Sequence, residues 1–167
     1  MAKSKSCTKI KSLKELREIA RTTFFGEQFV NSDLEPTCSQ SMRVVDHIKL
    51  GKVHFSELEL FFLKEQIANS IKGGIFRRKL LKTKKVINAC VLDRLMVNPN
   101  TIPESWKESK DGRLQIISFF GTIYSNKNCD LYVRTMYFSK ESKNWHFSET
   151  FLGDYWEINN PVVVLSE

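Results

Sequence analysis

The chain has 167 residues, 41% of them hydrophobic and 27% charged, with a net charge of +7. That composition excludes an intrinsically disordered polypeptide and predicts a real core in one domain, or in one domain plus an arm. No run reaches the roughly 18 apolar residues of a membrane-spanning helix, so no membrane span is expected.

Residues 1–11 are rich in Lys and Ser and predict a flexible basic arm. The basic start, Met1 to Cys7, has no apolar segment behind it, which argues against a secretory signal. Ser12-Leu13-Lys14-Glu15 has capping-box spacing, and Leu13, Leu16, Ile19 and Ala20 share one helical face, predicting a first helix to about Thr22. Residues 31–40 read as a loop. Met42, Val45 and Ile48 are spaced for a second helix, Met42–Leu50, with Gly51 at its C-terminal stop. Ser56-Glu57-Leu58-Glu59 has the look of another capping box. It would open a third helix to Ile71, apolar nearly all round at Leu58, Leu60, Phe61, Phe62, Leu63 and Ile67, and therefore the central core helix. A fourth helical stretch is predicted from Ile75 to Met96, with Phe76, Leu80, Ile87, Val91 and Leu95 near one face, stopped at Asn98-Pro99-Asn100.

The pattern changes after Pro103. Leu114–Tyr124, Leu131–Phe138, Trp145–Leu152 and Val162–Leu165 read as four strands joined by short polar turns. The expected fold class is α+β. An N-terminal helical part of about four helices (12–100) would pack on a C-terminal antiparallel four-stranded meander or SH3-like β-module (101–167).

Within the second part, three motifs stand in order: Ile102-Pro103-Glu104-Ser105-Trp106-Lys107, then Gly121-Thr122-Ile123-Tyr124, then Leu131-Tyr132-Val133-Arg134. With Trp145, Trp156 and Pro161–Leu165, they resemble the tail of short, uncharacterised bacterial proteins. The resemblance implies a recurring β-module in a bacterial cytoplasm. Those proteins have no established function, and it implies no chemistry.

Charge is unevenly placed. Residues 1–100 hold 19 of the 26 Lys and Arg against 10 of the 19 acids, a balance of +9, whereas the remainder stands at 7 against 9, or −2. The densest feature is Lys72, Arg77, Arg78, Lys79, Lys82, Lys84 and Lys85, in a stretch without an acid between Glu65 and Asp93. Cations gathered on one surface attract phosphates and release their counterions, so these seven are the candidate polyanion-binding residues, with nucleic acid or another polyanion as the expected partner. A solvated helix face whose Lys and Arg stems shield apolar surface would look the same. The second and third predicted helices mimic a helix-turn-helix. Glu57, Glu59 and Glu65 on the second of them would repel phosphate.

The β part is dense in aromatics. Trp145, Tyr155 and Trp156 are candidate partner-binding residues if exposed, as is the edge of Val162–Leu165, which gives a protein-interaction module as the alternative function. Core packing is the competing use of the same side chains. The four cysteines, Cys7, Cys38, Cys90 and Cys129, form no CxxC pair and read as free thiols of a reducing, cytoplasmic compartment. His47, His54 and His146 lack metal-ligand spacing. Asp154 and Glu157 are the nearest thing to a carboxylate pair, and loop solubility accounts for them. P-loop, GxGxxG and GxSxG motifs are absent. No cofactor, metal or catalytic residue is expected, and the protein reads as a non-catalytic binding module.

Overall fold

The structure is a computed structural model that describes residues 29–166. The predicted arm and first helix lie outside the described residues. The remaining elements run β1 (Phe29–Asn31), β2 (Met42–His47), β3 (Lys52–His54), β4 (Leu58–Phe61), α1 (Lys64–Ala68), β5 (Ile71–Lys72), α2 (Gly73–Leu80) and α3 (Ala89–Val97). They continue with β6 (Ile117–Asn126), β7 (Leu131–Ser139), β8 (Asn144–Phe151), β9 (Tyr155–Trp156) and β10 (Val162–Leu165).

One six-stranded sheet organises the molecule, in the order β4-β10-β6-β7-β8, with β2 also paired to β6. Nearly every residue of β6 is buried, as a strand covered on both faces must be. Its first part runs parallel to β10, Ser118 opposite Val162, and its last part runs antiparallel to β2. Between them β6 bends. It takes five steps from Phe119 to Tyr124 while β7 takes two, from Arg134 to Tyr132. Gly121 sits in that bend because nothing larger fits. A Cβ there would lie 2.8 Å from the Asn88 backbone. Its N–H donates to Ile87 C=O (2.9 Å) and its C=O accepts from Ile48 N–H (2.8 Å), so residues 86–88 close against the sheet where β6 turns away.

Period-two alternation sorts the side chains to two cores. On one face Ile117, Phe119, Met136, Trp145 and Val163 pack under α3 through Val91, Leu92 and Leu95, with Ile102, Trp106 and the β1–β3 pair completing the cover. On the other, Phe120, Ile123, Val133, Val162 and Val164 pack under Phe76 and Leu80 of α2, with Ile71 and Trp156.

This corrects the expected α+β fold class of about four helices on a four-stranded meander. Among the described residues three α-helices cover a larger, mostly β framework. Met42–His47 is a strand rather than a helix. Its β-branched Val44-Val45 pair suits the antiparallel ladder with β6, and a register shift between Val44 and Asp46 breaks the alternation that would have revealed it. The supposed core helix Ser56–Ile71 is a short 3-10 turn, the edge strand β4, the five-residue α1 and β5. An apolar run of six, Leu58–Leu63 broken only by Glu59, has strand length. Leu58 and Leu60 face one core while Phe61 and Leu63 face the other. The cap there belongs to His54 and Glu57: Ser56 N–H donates to the imidazole, and His54 N–H donates to the Glu57 carboxylate. The predicted fourth helix is two, α2 and α3. Val86 bridges Val164 of β10 between them, and Asn88 caps α3 by accepting from Cys90 N–H (3.2 Å).

The four predicted strands fall at β6, β7, β8 and β10, but only the first three form a meander. β10 returns to the opposite side of β6, with β4 on its other flank. Val162–Leu165 therefore presents no free edge.

Candidate polyanion interface

The basic segment is built on α2. Gly73 opens that helix because Trp156 lies against its backbone: a Cβ would sit 2.3 Å from the indole. The N–H groups of Gly73 and Gly74 donate to the carbonyls of Asp154 and Leu152, each at 3.0 Å, tying the helix start to the loop after β8. Phe76 and Leu80, one turn apart, are fully buried, so Arg77, Arg78 and Lys79 are left to flank that stripe. Three cations in the last turn also suit the negative end of the helix dipole.

The seven predicted residues divide into three groups. Arg77 and Lys79 are neutralised. The Arg77 guanidinium pairs with Asp46 of β2 (2.5 Å) and donates through Nε to Phe120 C=O (2.9 Å), which clamps α2 to the sheet, and Lys79 pairs with Glu65 of α1. The contact with Lys79 holds the Glu65 carboxyl below its ordinary range. Lys72, at the opposite end of the helix, lies over the exposed Tyr155 ring, 5.7 Å from its centre.

Arg78, Lys82, Lys84 and Lys85 form the third group. After Leu80 the chain turns tightly: Thr83 and Lys84 N–H both donate to Leu80 C=O, at 2.9 and 2.8 Å. It then joins the sheet, with Lys85 C=O accepting from Leu165 N–H (2.9 Å) and Ile87 N–H donating to Val163 C=O (3.0 Å). Lys84 lies over the Phe61 ring at 5.1 Å. Arg78, Lys82 and Lys85 are exposed, and among the described residues none of them makes an ion pair. Leu81, Lys82, Lys84 and Lys85 line a cleft of about 500 Å³ together with Glu57 and Ser166.

The aromatic candidates are placed differently. Trp145 is buried in the first core and Trp156 in the second, where its indole N–H donates to Ser118 Oγ (2.8 Å). Only Tyr155 is exposed, at 60%. The histidines each serve local structure. His47 bridges Thr122 Oγ1 and the Ser32 carbonyl, both at 2.9 Å. Because a carbonyl only accepts, its Nε2 carries the proton. His54 caps the turn before β4, and His146 Nε2 meets Ser142 Oγ. Among the described residues no group of His, Cys, Asp and Glu is arranged to hold a metal ion.

One charged site escaped the sequence reading. Arg134 of β7 is 3% exposed and pairs with Asp93 of α3 at 2.5 Å. It donates to the Thr37 hydroxyl (2.8 Å) and the Thr37 carbonyl (2.7 Å), and its plane lies against Tyr124 and Phe147. Asp93 in turn accepts from the Thr37 N–H and hydroxyl. The pair straps the loop after β1 onto the sheet. Among the described residues Arg134 Nε is the only buried side-chain polar atom without a partner. Burial pushes the Tyr124 phenol well above its ordinary value, only partly offset by the guanidinium. The signal available was a lone Arg at an alternate position shared with Tyr132, Met136 and Phe138 of the same strand.

No protein-family model, curated protein or solved structure matches the chain.

Proposed function

We propose that the protein is a non-catalytic binding module that contacts nucleic acid through Arg78 and the Leu81–Lys85 turn. One observation carries this: Lys82 and Lys85 stand exposed at a cleft on a turn hydrogen-bonded to β10, and Arg78 stands exposed on the helix that leads into that turn, none of the three with a carboxylate partner among the described residues. Arg77 and Lys79 already hold acids, so they are removed from the contacting set.

Cations so placed neutralise backbone phosphates without reading bases, so the expected binding is sequence-tolerant and salt-sensitive. With three phosphates neutralised, log K should fall against log salt with a slope of about −3 on duplex DNA and about −2 on a single strand. The test is a fluorescence-anisotropy titration of the full chain with labelled RNA and DNA oligonucleotides across a salt series. The variant is the triple Arg78→Glu, Lys82→Glu, Lys85→Glu, whose three side chains are exposed, so the circular dichroism spectrum should stay unchanged. Binding should disappear in the triple variant. Wild-type protein that binds neither nucleic acid at low salt, or a triple variant that binds as wild type does, refutes the proposal.

A further inference from the structure

We propose that β8 is a dimerisation strand, pairing antiparallel with β8 of a second copy about a two-fold axis at Ser148. β8 is one outer strand of the central sheet, and among the described residues nothing pairs with its outer side. Soluble proteins blunt such edges with short strands, bulges, Pro or Lys. The other outer strands follow that rule: β4 has four residues, and β2 carries a register shift. β8 does not. Its eight residues, Asn-Trp-His-Phe-Ser-Glu-Thr-Phe, contain no Pro, Lys or Arg, and its ladder with β7 runs unbroken from Ser139–Asn144 to Tyr132–Phe151. It also leaves Phe147 48% and Phe151 41% exposed on one face.

Hydrogen-bond parity shows what the edge offers. Leu152 N–H donates to Leu131 C=O (2.7 Å), so those two residues form a hydrogen-bonded pair and the even-numbered residues of β8 turn their backbone groups towards β7. Trp145, Phe147, Glu149 and Phe151 therefore turn theirs outwards. Opposed residues in one sheet share a face, which restricts a two-fold pairing to registers centred on a residue. Centring on Glu149 would oppose two carboxylates. Centring on Phe147 would leave Phe151 beyond the partner strand. Centring on Ser148 pairs every outward residue within the strand: Trp145 faces Phe151 of the other copy, Phe147 faces Glu149, His146 faces Thr150, and no like charges meet. A second copy is thus a partner of matching length, hand and charge. The axis stands perpendicular to the sheet, so both copies of α2 lie on the same side of the doubled sheet. The dimer itself does not depend on nucleic-acid binding.

Ser148 would oppose its own copy as a non-hydrogen-bonded pair, with Cα atoms about 4.5 Å apart, a separation that a disulfide can span. The test starts from sedimentation of the wild-type chain over a wide concentration range, where a monomer–dimer equilibrium is expected. Ser148→Cys and His146→Cys are then compared in a background carrying Cys7→Ser, Cys38→Ser and Cys129→Ser. Diamide serves as the oxidant, taking up the two thiol hydrogens as the disulfide forms. Ser148→Cys should give a covalent dimer, and His146→Cys, which faces Thr150, should not. Phe147→Pro removes one outward N–H while sparing the β7 ladder and should shift the equilibrium to monomer. Wild type that stays monomeric at every concentration overturns the proposal, including the case in which a foreign strand occupies β8. So does cross-linking of His146→Cys as readily as Ser148→Cys.

Discussion

Removing the Asp93 carboxylate should cost far more stability than removing the arginine it serves. In Asp93→Ala the Arg134 guanidinium stays 3% exposed, with its nearest counter-charge gone and Nε still without a partner. Breaking a buried pair from one side typically costs 3–5 kcal/mol. Asp93 is itself 25% exposed, which puts the pair at the low end, about 3 kcal/mol. The two Thr37 bonds to Asp93, at 3.0 and 2.9 Å, lie where water can replace them and add about 0.5–1 kcal/mol. The expected loss is therefore about 3–4 kcal/mol, a large share of the 5–15 kcal/mol typical of a domain. Arg134→Met instead removes the buried charge and the orphaned Nε together, fills much of the same volume between Tyr124 and Phe147, and leaves a carboxylate that reaches solvent. Its cost should be about 1–2 kcal/mol, mainly the lost bonds to Thr37. Urea unfolding at neutral pH, with unchanged m-values, measures both and the double variant. The double variant should fall well short of the sum of the singles, because the orphan charge that dominates Asp93→Ala is absent from it. If Arg134→Met costs as much as Asp93→Ala, or the two effects simply add, the pair does not work as described.

Two further outcomes follow from the packing and from burial. Gly121→Ala sets a methyl 2.8 Å from the Asn88 and Ile87 backbone, where no flexible side chain can give way, and should cost about 3 kcal/mol, or about 6–12 °C in thermal midpoint. Gly74→Ala meets nothing within 4 Å on a helix and should be neutral or slightly stabilising, so equal melting shifts for the two variants would contradict the close approach. Burial pushes the Cys90 thiol up to about 11 from an ordinary value of 9.0. Its thiolate is thus about 100-fold scarcer than an ordinary thiol's at pH 8, and it recovers only as pH rises towards 11. Peptide mass spectrometry after iodoacetamide treatment should show Cys90 alkylated at least 100-fold more slowly in the native protein than in urea. Comparable rates would place the thiol outside the core.

The second half of the chain was legible because its strands carry local signals. Asn126-Lys127-Asn128 forms a turn, with the Asn126 side chain accepting from the N–H groups of Asn128 and Asp130, and β7 and β8 are long enough for their residue types to speak. The first half was misread where short strands imitate helical spacing. Met42, Val45 and Ile48 satisfy a helix pattern, yet Val45 is exposed and the residues follow β6 instead. The partner strand that makes β2 and β4 strands at all lies some 80 to 100 residues away, and no local propensity records it. Of the basic residues, sequence reasoning found the cluster and could not find the acids: Asp46 and Glu65 are distant in the chain and adjacent in space to Arg77 and Lys79. Val162–Leu165 did carry part of its own signal, since a strand with no polar residue is one buried on both faces, whereas the pairing with β4 and β6 that fills its edges is recorded nowhere in its four residues.

The split in charge between the two parts of the sequence takes on a physical sense once the sheet is assembled. The cations sit in the basic part, and their placement comes from the acidic one. Lys85 and Ile87 are hydrogen-bonded to β10, the last strand, and Ile87 is hydrogen-bonded again to Gly121 at the bend of β6. Val86 between them is buried against Val164. A lysine-rich loop free in solvent would give up backbone entropy on meeting a phosphate chain, of order 1–2 kcal/mol for each residue ordered. Here that ordering is completed when β10 docks, so in the proposed contact with nucleic acid Lys82 and Lys85 would not lose it again on meeting phosphate. The hydrophobic run at the end of the sequence is thus what gives the charged run in its middle a fixed shape.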